Sequence, residues 1–271
     1  MTPSHTPTLR HRSSVVLLFV GLLLGLPTPA AAQSVASIVD EMRTRYEQQL
    51  ETVDTYTVET NLYTTYHKKT STDGKPTYET KTQLKGDNVT PFASSSTPSL
   101  AYGLQFDRLK QHATYTGTET VNGVRCHVLR VDDPSAVNPD MGRDDAEDMT
   151  YYVDAEQYVP SRMVVNMKTQ GRSGPKASTI LINMTDHRTT DGLTLPHRME
   201  IQFDMNMSEE QRKQMEQMMA KLEKLPDQQR AQMEKMMGNQ MEMMKQVMSG
   251  DPVVIEVLSV EVNTALPEGM F

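Results

Sequence analysis

Residues 180–205 read ILINMTDHRTTDGLTLPHRMEIQFDM and predict a β-hairpin. Apolar and polar residues alternate on both sides of the dipeptide Asp191-Gly192. A period of two separates the faces of a strand, and Asp-Gly is typical of the tight turn between antiparallel strands. The stretch therefore indicates two adjacent strands with one apolar face. That face carries Ile180, Ile182 and Met184 on the first strand and Leu195, Met199, Ile201, Phe203 and Met205 on the second.

The same alternation recurs along most of the chain and predicts an antiparallel sheet covered on one side. Asn122-Gly123 is a second tight-turn signal. Residues 86–101 and the acidic stretch 132–148 are predicted loops, and the latter lacks the spaced frame of a calcium loop. The further predicted strands carry Tyr56, Val58, Leu62 and Tyr66; Tyr78 to Leu84; His112 to Glu119; Val124, Cys126 and Val128; Met149 to Val153; Met163, Val165 and Met167; and Val253 to Val262.

The first 32 residues have the features of a secretory signal peptide. Arg10 and Arg12 precede an apolar run, and the small residues 30–32 follow a proline-containing break. The 12 apolar residues 15–26 span ~18 Å as a helix, whereas a retained membrane anchor must cross ~30 Å. We therefore expect cleavage after Ala32, export to the periplasm of a Gram-negative bacterium, and a mature chain that is not an integral membrane protein.

The composition excludes several classes of protein. The chain has 271 residues, with 27 Lys and Arg against 35 Asp and Glu, and a formal net charge of -8. Nucleic-acid binding needs a basic face that neutralises phosphates, so we expect no nucleic-acid partner. The single cysteine, Cys126, excludes an internal disulfide framework and a cysteine-rich zinc module.

The sequence contains no recognisable catalytic motif. A nucleophile elbow, a paired-histidine zinc motif and a phosphate loop are all missing from it. Cys126 and His127 are adjacent, so on a strand their side chains point to opposite faces. His187 and His197 could approach each other across a hairpin and hold a metal ion. The competing interpretation, which we favour, is that they are two ordinary strand histidines. We expect no enzymatic activity, no cofactor and no metal.

Helical periodicity appears in two regions. The first runs from Ser34 to about Val53, where apolar residues recur near the 3.6 period. The second is the Met-rich stretch 207–249, in which Pro226 separates two apolar stripes and predicts an inserted α-helical hairpin. Its stripes have three interpretations. They pack as ordinary core, they form an adaptable lid or docking surface, or they capture Cu(I) through thioethers. The residues predicted for a lid or partner contact are Met215, Met218, Met219, Met233, Met236 and Met237.

Four segments resemble the outer-membrane lipoprotein-sorting (LolA-like) superfamily. They are ETVNGVRCHVL at 119–129, YYVD at 151–154 with Pro160 following, DGLTLP at 191–196, and the ending from Val262 to Phe271. The resemblance covers 34–205 and 251–271. It implies an α+β fold, in which a curved antiparallel β-sheet forms an open half-barrel with helices on its concave side. The expected domains are the signal peptide 1–32 and the half-barrel domain 33–271, with the Met-rich hairpin 207–249 inserted in it.

The resemblance also implies a cavity for lipid acyl chains, either free or attached to a lipoprotein. Each methylene removed from water contributes ~0.8 kcal/mol, so an apolar concave face can carry such a chain without catalytic groups. We expect a periplasmic carrier that transfers its cargo toward the outer membrane, with membrane-bound donor or acceptor proteins as partners. The alternatives are an envelope-stress sensor or partner-binding regulatory module on the same fold, and a Cu(I)-binding protein.

The residues predicted to bind lipid all lie on the apolar faces of the predicted strands. The competing interpretation is that they pack against the helices as ordinary core, because a core and a cavity wall share one composition. The predicted set is Tyr56, Val58, Leu62, Tyr78, Leu84, Met163, Val165, Met199, Ile201 and Phe203.

Overall fold

Most of the described chain is β-strand. This computed structural model describes residues 33–72, 75–85, 105–139, 141, 146–171, 174–205, 213–214, 217 and 249–271. The predicted signal peptide, the 86–101 loop and the six methionines predicted for a lid or partner contact lie outside the described residues.

Ten strands and three helices make up the described structure. The helices are α1 (Val35–Leu50), α2 (Phe106–His112) and α3 (Pro134–Val137). The strands are β1 (Thr55–Thr60), β2 (Tyr63–Thr72), β3 (Lys75–Leu84), β4 (Ala113–Val121), β5 (Val124–Val131), β6 (Ala146–Asp154), β7 (Pro160–Gly171), β8 (Gly174–Thr190), β9 (Leu193–Met205) and β10 (Val253–Val262).

All ten strands form one sheet in the order β3-β2-β1-β10-β9-β8-β7-β6-β5-β4. Every neighbouring pair is antiparallel. The last strand, β10, lies between β1 and β9 and so joins the N-terminal strands to the remainder of the sheet. Within the described residues β3 and β4 are the two edges, so the sheet is not closed. An open sheet of this width is consistent with the predicted curvature, since wide twisted sheets curl.

The two predicted tight turns are confirmed. Asn122 and Gly123 have φ values of 51° and 83°, and Asp191 and Gly192 have values of 47° and 87°. Two successive residues in the left-handed region match the right-handed twist of the flanking strands, and Asn-Gly and Asp-Gly adopt this geometry at little cost. These dipeptides therefore fix the β4–β5 and β8–β9 registers.

The single strand predicted through Tyr56 and Tyr66 is wrong. The chain turns between β1 and β2 because the Thr60 hydroxyl accepts hydrogen bonds from the backbone N–H of Leu62 (3.2 Å) and Tyr63 (3.0 Å). The turn shifts the alternation by one residue. His67 now pairs with Tyr56, whereas Tyr66 pairs with Thr57 on the opposite face.

The predicted N-terminal helix is confirmed as α1, although it ends earlier than expected. Ser34 caps its start, with the Ser37 N–H donating to the Ser34 hydroxyl (3.1 Å) and the Ser34 N–H donating to the Ser37 hydroxyl (3.0 Å). At the other end, the Lys69 ammonium of β2 donates to the carbonyls of Leu50 and Glu51, at 3.0 Å each. A cation there satisfies free carbonyls and interacts favourably with the helix dipole.

The helices α2 and α3 were not predicted. His112, expected to begin a strand, is the last residue of α2, and β4 starts at Ala113. The acidic stretch predicted as a loop contains α3, which begins after Asp133 caps it, with Pro134 at the first helical position, and it also contains the start of β6. Short helices of this kind depend on tertiary packing more than on periodicity, so the sequence pattern is weak.

Two apolar clusters bury one face of the sheet under the helices. The larger contains Ile38, Val39, Met42, Leu109, Leu129, Val131, Val137, Ala146, Met149, Tyr151, Val153, Met163, Val165, Ile182 and Met184. The smaller contains Leu50, Val53, Tyr56, Leu193 and Leu195. We call this face the inner face. Since α1, α2 and α3 all contribute to the larger cluster, the expectation of an antiparallel sheet with helices on one side is confirmed.

The opposite face carries a ladder of polar side chains. Asp148 accepts from Arg130 (3.1 Å) and Asn166 (2.8 Å), and the Thr179 hydroxyl donates to Asn166 (3.0 Å). These bonds cross four strands, β5 to β8. The ladder explains why these strands alternate so clearly, and it leaves the inner face as the location for an apolar site.

Candidate apolar binding site

The inner face carries a cross-strand row of apolar residues that becomes less buried toward β9. Val131 pairs with Met149, Met149 with Val165, Val165 with Ile180, and Ile180 with Phe203. Directly paired residues share a face, so these five side chains form one row, which we call the apolar row. The first three are 0–3% exposed, whereas Ile180 and Phe203 are only partly buried. The row therefore ends in less covered apolar surface, two residues before β9 ends.

The ten residues predicted to bind lipid divide into three groups by their surroundings. Tyr56, Met163 and Val165 are fully buried members of the two clusters. Four are partly buried and pack against a cluster: Met199 and Ile201 against the larger, Val58 and Tyr78 against the smaller. Leu62, Leu84 and Phe203 are partly buried and belong to neither cluster.

The residues outside both clusters lie around one end of the sheet. Leu84 pairs with Tyr63 on the strand edge that follows the β1–β2 turn, and Leu62 lies within that turn. The neighbouring Asn61 amide donates to the Val254 carbonyl at 3.0 Å, and β10 pairs with β9 at Ile201–Val253. Leu62 therefore lies near the start of β10, which is next to the C-terminal end of β9. This is also the end from which the Met-rich segment leaves the sheet.

A small cavity lies where the two clusters meet under α1. Its volume is about 40 Å³. That volume holds about one water-sized molecule, whereas ligand sites usually measure ~300–1,000 Å³. This cavity under α1 is therefore too small for an acyl chain in this conformation. The lining is Met42, Arg45, Tyr46, Gln49, Phe106, Tyr158, Val159, Pro160, Met184, His187, Thr194 and Pro196.

Two of the polar side chains that line this cavity, Arg45 and Gln49, already have partners within the fold. The Arg45 guanidinium donates to Glu41 (2.8 Å) and to the Glu156 carbonyl (2.8 Å). The Gln49 side-chain oxygen accepts from the Thr194 N–H at 3.1 Å. Satisfied polar groups leave the apolar side chains as the main attraction for a ligand.

A buried aromatic stack supports the smaller cluster. The rings of Tyr56 and His67 are parallel, with 4.0 Å between centroids, and Tyr78 lies 5.3 Å from Tyr56. The His67 ring nitrogens contact the hydroxyls of Thr65 and Thr80, at 3.0 Å each. Burial lowers the pKa of His67 to about 3, so the ring is neutral at physiological pH.

Sequence reasoning missed the role of His127. Its side chain is 2% exposed on the inner face of β5, and neither ring nitrogen has a hydrogen-bond partner among the described residues. The ring lies between Tyr115 (6.0 Å) and Tyr158 (5.8 Å). The sequence signal was present, because His127 shares the alternation phase of Leu129 and Val131. Cys126, its neighbour, is a free, buried thiol on the other face.

The structure does not bring the two hairpin histidines opposite each other. His187 pairs with Pro196, one residue before His197. Across the described ranges, no group of three or more His, Cys, Asp or Glu side chains is placed to hold a metal ion. Among the helices in the same ranges, none combines the length and the apolar character that crossing a membrane requires.

Comparison with known proteins finds similarity only among solved structures. No family model and no curated protein matches the chain. A DUF1329 family protein from Desulfovibrio piger is 11% identical with a TM-score of 0.42, and the match covers 87% of this chain and 96% of that one. An outer membrane lipoprotein-sorting protein domain from Vibrio parahaemolyticus is 12% identical with a TM-score of 0.41, covering 87% and 94%.

A third structure, the MucA/MucB complex of Pseudomonas aeruginosa, is 8% identical with a TM-score of 0.23, covering 64% of this chain and 90% of that one.

Proposed function

We propose that this protein is a periplasmic carrier that binds a lipid, or the acyl chains of a lipoprotein, on the inner face of its open sheet. The acyl chain lies along the less covered end of the apolar row, against Ile180, Phe203 and Ile201. Leu62, Leu84 and Val58 flank that end. Membrane-bound donor and acceptor proteins load and unload the cargo for transfer toward the outer membrane.

The observation that supports this proposal is the fall in burial along the apolar row. Residues of one row have the same face and similar chemistry, yet Val131 is fully buried while Phe203 is partly exposed. Covering such surface with an acyl chain contributes ~25 cal/mol per Å² of apolar area removed from water. The filled part of the face supplies rigidity, and the less covered end supplies a place for hydrocarbon.

The Met-rich segment is proposed as the adaptable cover of this site. The segment connects β9 to β10, which are direct neighbours in the sheet, so its two ends start beside Phe203 and Val253. Unbranched thioether side chains adapt to varied apolar cargo. Met218→Lys and Met236→Lys are expected to reduce lipid retention, because each places a charge on an apolar stripe.

The proposal is tested by lipid retention and fatty-acid uptake. Mass spectrometry of gently purified protein is expected to detect bound lipid, and a fluorescent fatty acid is expected to bind. Phe203→Glu should weaken that binding about tenfold or more, since it buries an unpaired charge against the chain. Gln202→Glu is the matched control, because Gln202 is exposed on the opposite face of the same strand. Absence of both bound lipid and uptake would contradict the proposal.

The small cavity favours one second candidate, a partner-binding or envelope-stress sensing module. A face filled by its own helices can act as a scaffold without cargo. Deleting residues 207–249 separates the two functions. A carrier loses lipid uptake upon deletion, whereas a regulatory module without cargo shows no uptake in either form and loses a defined protein partner.

A further inference from the structure

We propose that His127 makes the attachment of α1 to the sheet sensitive to acid, so that proton uptake loosens the helix that covers the inner face. The inference deepens the proposed function, on which its purpose rests, by assigning a release mechanism to the face that carries the proposed site. The contacts involved lie between β5, the β6–β7 turn and α1.

His127 belongs to a chain of side-chain contacts that links the sheet to α1. The Tyr158 ring is tilted by 40° to the His127 ring, with 5.8 Å between centroids, and the Arg45 guanidinium carbon lies 4.9 Å from the Tyr158 centroid. Arg45 belongs to α1, and its guanidinium also donates to the Glu156 carbonyl of the β6–β7 turn at 2.8 Å. These contacts fasten the middle of α1 to this turn, and Arg45 and Tyr158 both line the cavity beneath the helix.

A proton on His127 would be poorly accommodated among these contacts. The charged ring carries two N–H donors, and in the described structure neither nitrogen has an acceptor. It would also place a second cation against a tyrosine ring that already receives Arg45. Buried cations without partners are unfavourable, so the closed arrangement selects the neutral ring.

The charges that face His127 do not remove this conflict. From its own strand, Arg125 opposes protonation, and from β6 the Asp154 carboxylate favours it. Asp154, however, already accepts the N–H groups of Glu156 (2.7 Å) and Gln157 (2.8 Å). The β4 side presents the uncharged ring of Tyr115 and α1 presents Arg45. Burial, with a smaller contribution from Arg125, therefore lowers the pKa of His127.

The sign of the effect follows from the difference between two states. In the closed state α1 is packed on the sheet and His127 is buried, and in the open state α1 has separated from the sheet and His127 contacts water. A histidine exposed to water has a pKa of about 6.5, whereas burial lowers that value in the closed state. Above about pH 6.5 both states hold a neutral ring, and the closed state keeps its full advantage. As the pH falls below that value the open state binds the proton first, and the closed state loses stability.

The test uses amide hydrogen exchange on purified protein without added lipid. The readouts are the amides of α1 and the Tyr158 N–H, which donates to the Asp154 carbonyl at 2.9 Å. After correction for intrinsic rates, protection is expected to fall about tenfold between pH 7.5 and pH 5. His127→Leu should lose most of this dependence. His112→Leu, which removes an exposed histidine, should retain it.

Either of two results would overturn the inference: unchanged protection in the natural protein, or a full pH dependence in His127→Leu. If that variant does not fold, His127→Phe serves instead, and an NMR titration of the natural protein is independent of both. A His127 ring that titrates near its ordinary value would also overturn it. Because no lipid is present, a negative result leaves the proposed carrier function standing, and failed lipid uptake leaves this result standing.

Discussion

The buried ring of His67 makes the stability of the smaller cluster depend on pH. The ring stacks on Tyr56 and is bracketed by two threonine hydroxyls. Its pKa of about 3 lies below the value of about 6.5 in an unfolded chain. The stabilisation by the neutral ring is fully present above about pH 6.5 and is lost progressively as the pH falls toward 3.

We therefore predict a loss of about 2 kcal/mol of unfolding free energy from this residue between pH 7.5 and pH 5. Urea denaturation at both pH values measures it. In His67→Phe this part of the pH dependence should disappear, because the aromatic ring that replaces the imidazole does not titrate. An equal loss in the variant and the natural protein would show that His67 is not the titrating group.

The Thr60 hydroxyl holds the β1–β2 turn, a role that the alternating strand pattern does not indicate. Its hydroxyl donates to the Tyr63 carbonyl at 2.8 Å and accepts two backbone N–H groups, while the residue is 1% exposed. Thr60→Val keeps the shape but leaves these buried groups without partners. It should reduce the unfolding free energy by about 1–3 kcal/mol.

Thr57→Val is the control for this change, because Thr57 lies on the outer face of the same strand. It should change stability by less than about 0.5 kcal/mol. Thermal or urea denaturation of both variants provides the measurement. Equal effects at the two positions would mean that the turn does not depend on the Thr60 hydroxyl.

Among the elements, α1 depends on a cap supplied by a strand distant in sequence. The Lys69 ammonium satisfies the carbonyls of Leu50 and Glu51. Lys69→Met should cost about 1–2 kcal/mol of stability and fray the last turn of α1, as measured by urea denaturation and hydrogen exchange. Lys68→Met removes the same charge from the opposite face and should have a smaller effect. Fraying in both variants would assign the effect to net charge instead of the cap.

Elements with strong local chemistry could be predicted from the sequence, and those that rely on distant contacts could not. The Asn122-Gly123 and Asp191-Gly192 turns and the bounds of β10 follow from dipeptide geometry and alternation. In contrast, α2 contributes Leu109, 0% exposed, to a cluster built from other elements, and its seven residues carry little periodicity of their own. The β1–β2 turn was missed because Thr60 shares the phase of Tyr56 and Val58, and threonine is a residue that strands favour, so the alternation continues through it.

At the scale of the whole molecule, the sheet order and the gradient of burial decide where a ligand can bind. The pairing of β1 with β10 joins residues about 200 positions apart, and no local pattern encodes it. Nine of the ten candidate residues lie on strands, whereas Leu62 lies in the β1–β2 turn. The sequence could not separate Val165, which packs as core, from Phe203, because both are apolar and lie in the apolar phase of their strands.

The neighbouring positions of β9 and β10 make the Met-rich segment removable. Replacing residues 207–249 with a short turn should leave the sheet intact, since Ile201 pairs directly with Val253. We expect the far-ultraviolet circular dichroism to keep its β signature, while fatty-acid uptake falls about tenfold or more. Loss of cooperative unfolding in the deletion would contradict this, because it would make the segment part of the core.

Photo-crosslinking tests the location of bound hydrocarbon most directly. A fatty acid with a photoreactive group in its chain is incubated with the natural protein, irradiated, and the labelled peptides are identified by mass spectrometry. We expect labelling concentrated at Ile180, Ile201 and Phe203, competed by unlabelled fatty acid. No competed label, or label confined to the polar ladder at Arg130, Asn166 and Thr179, would contradict it.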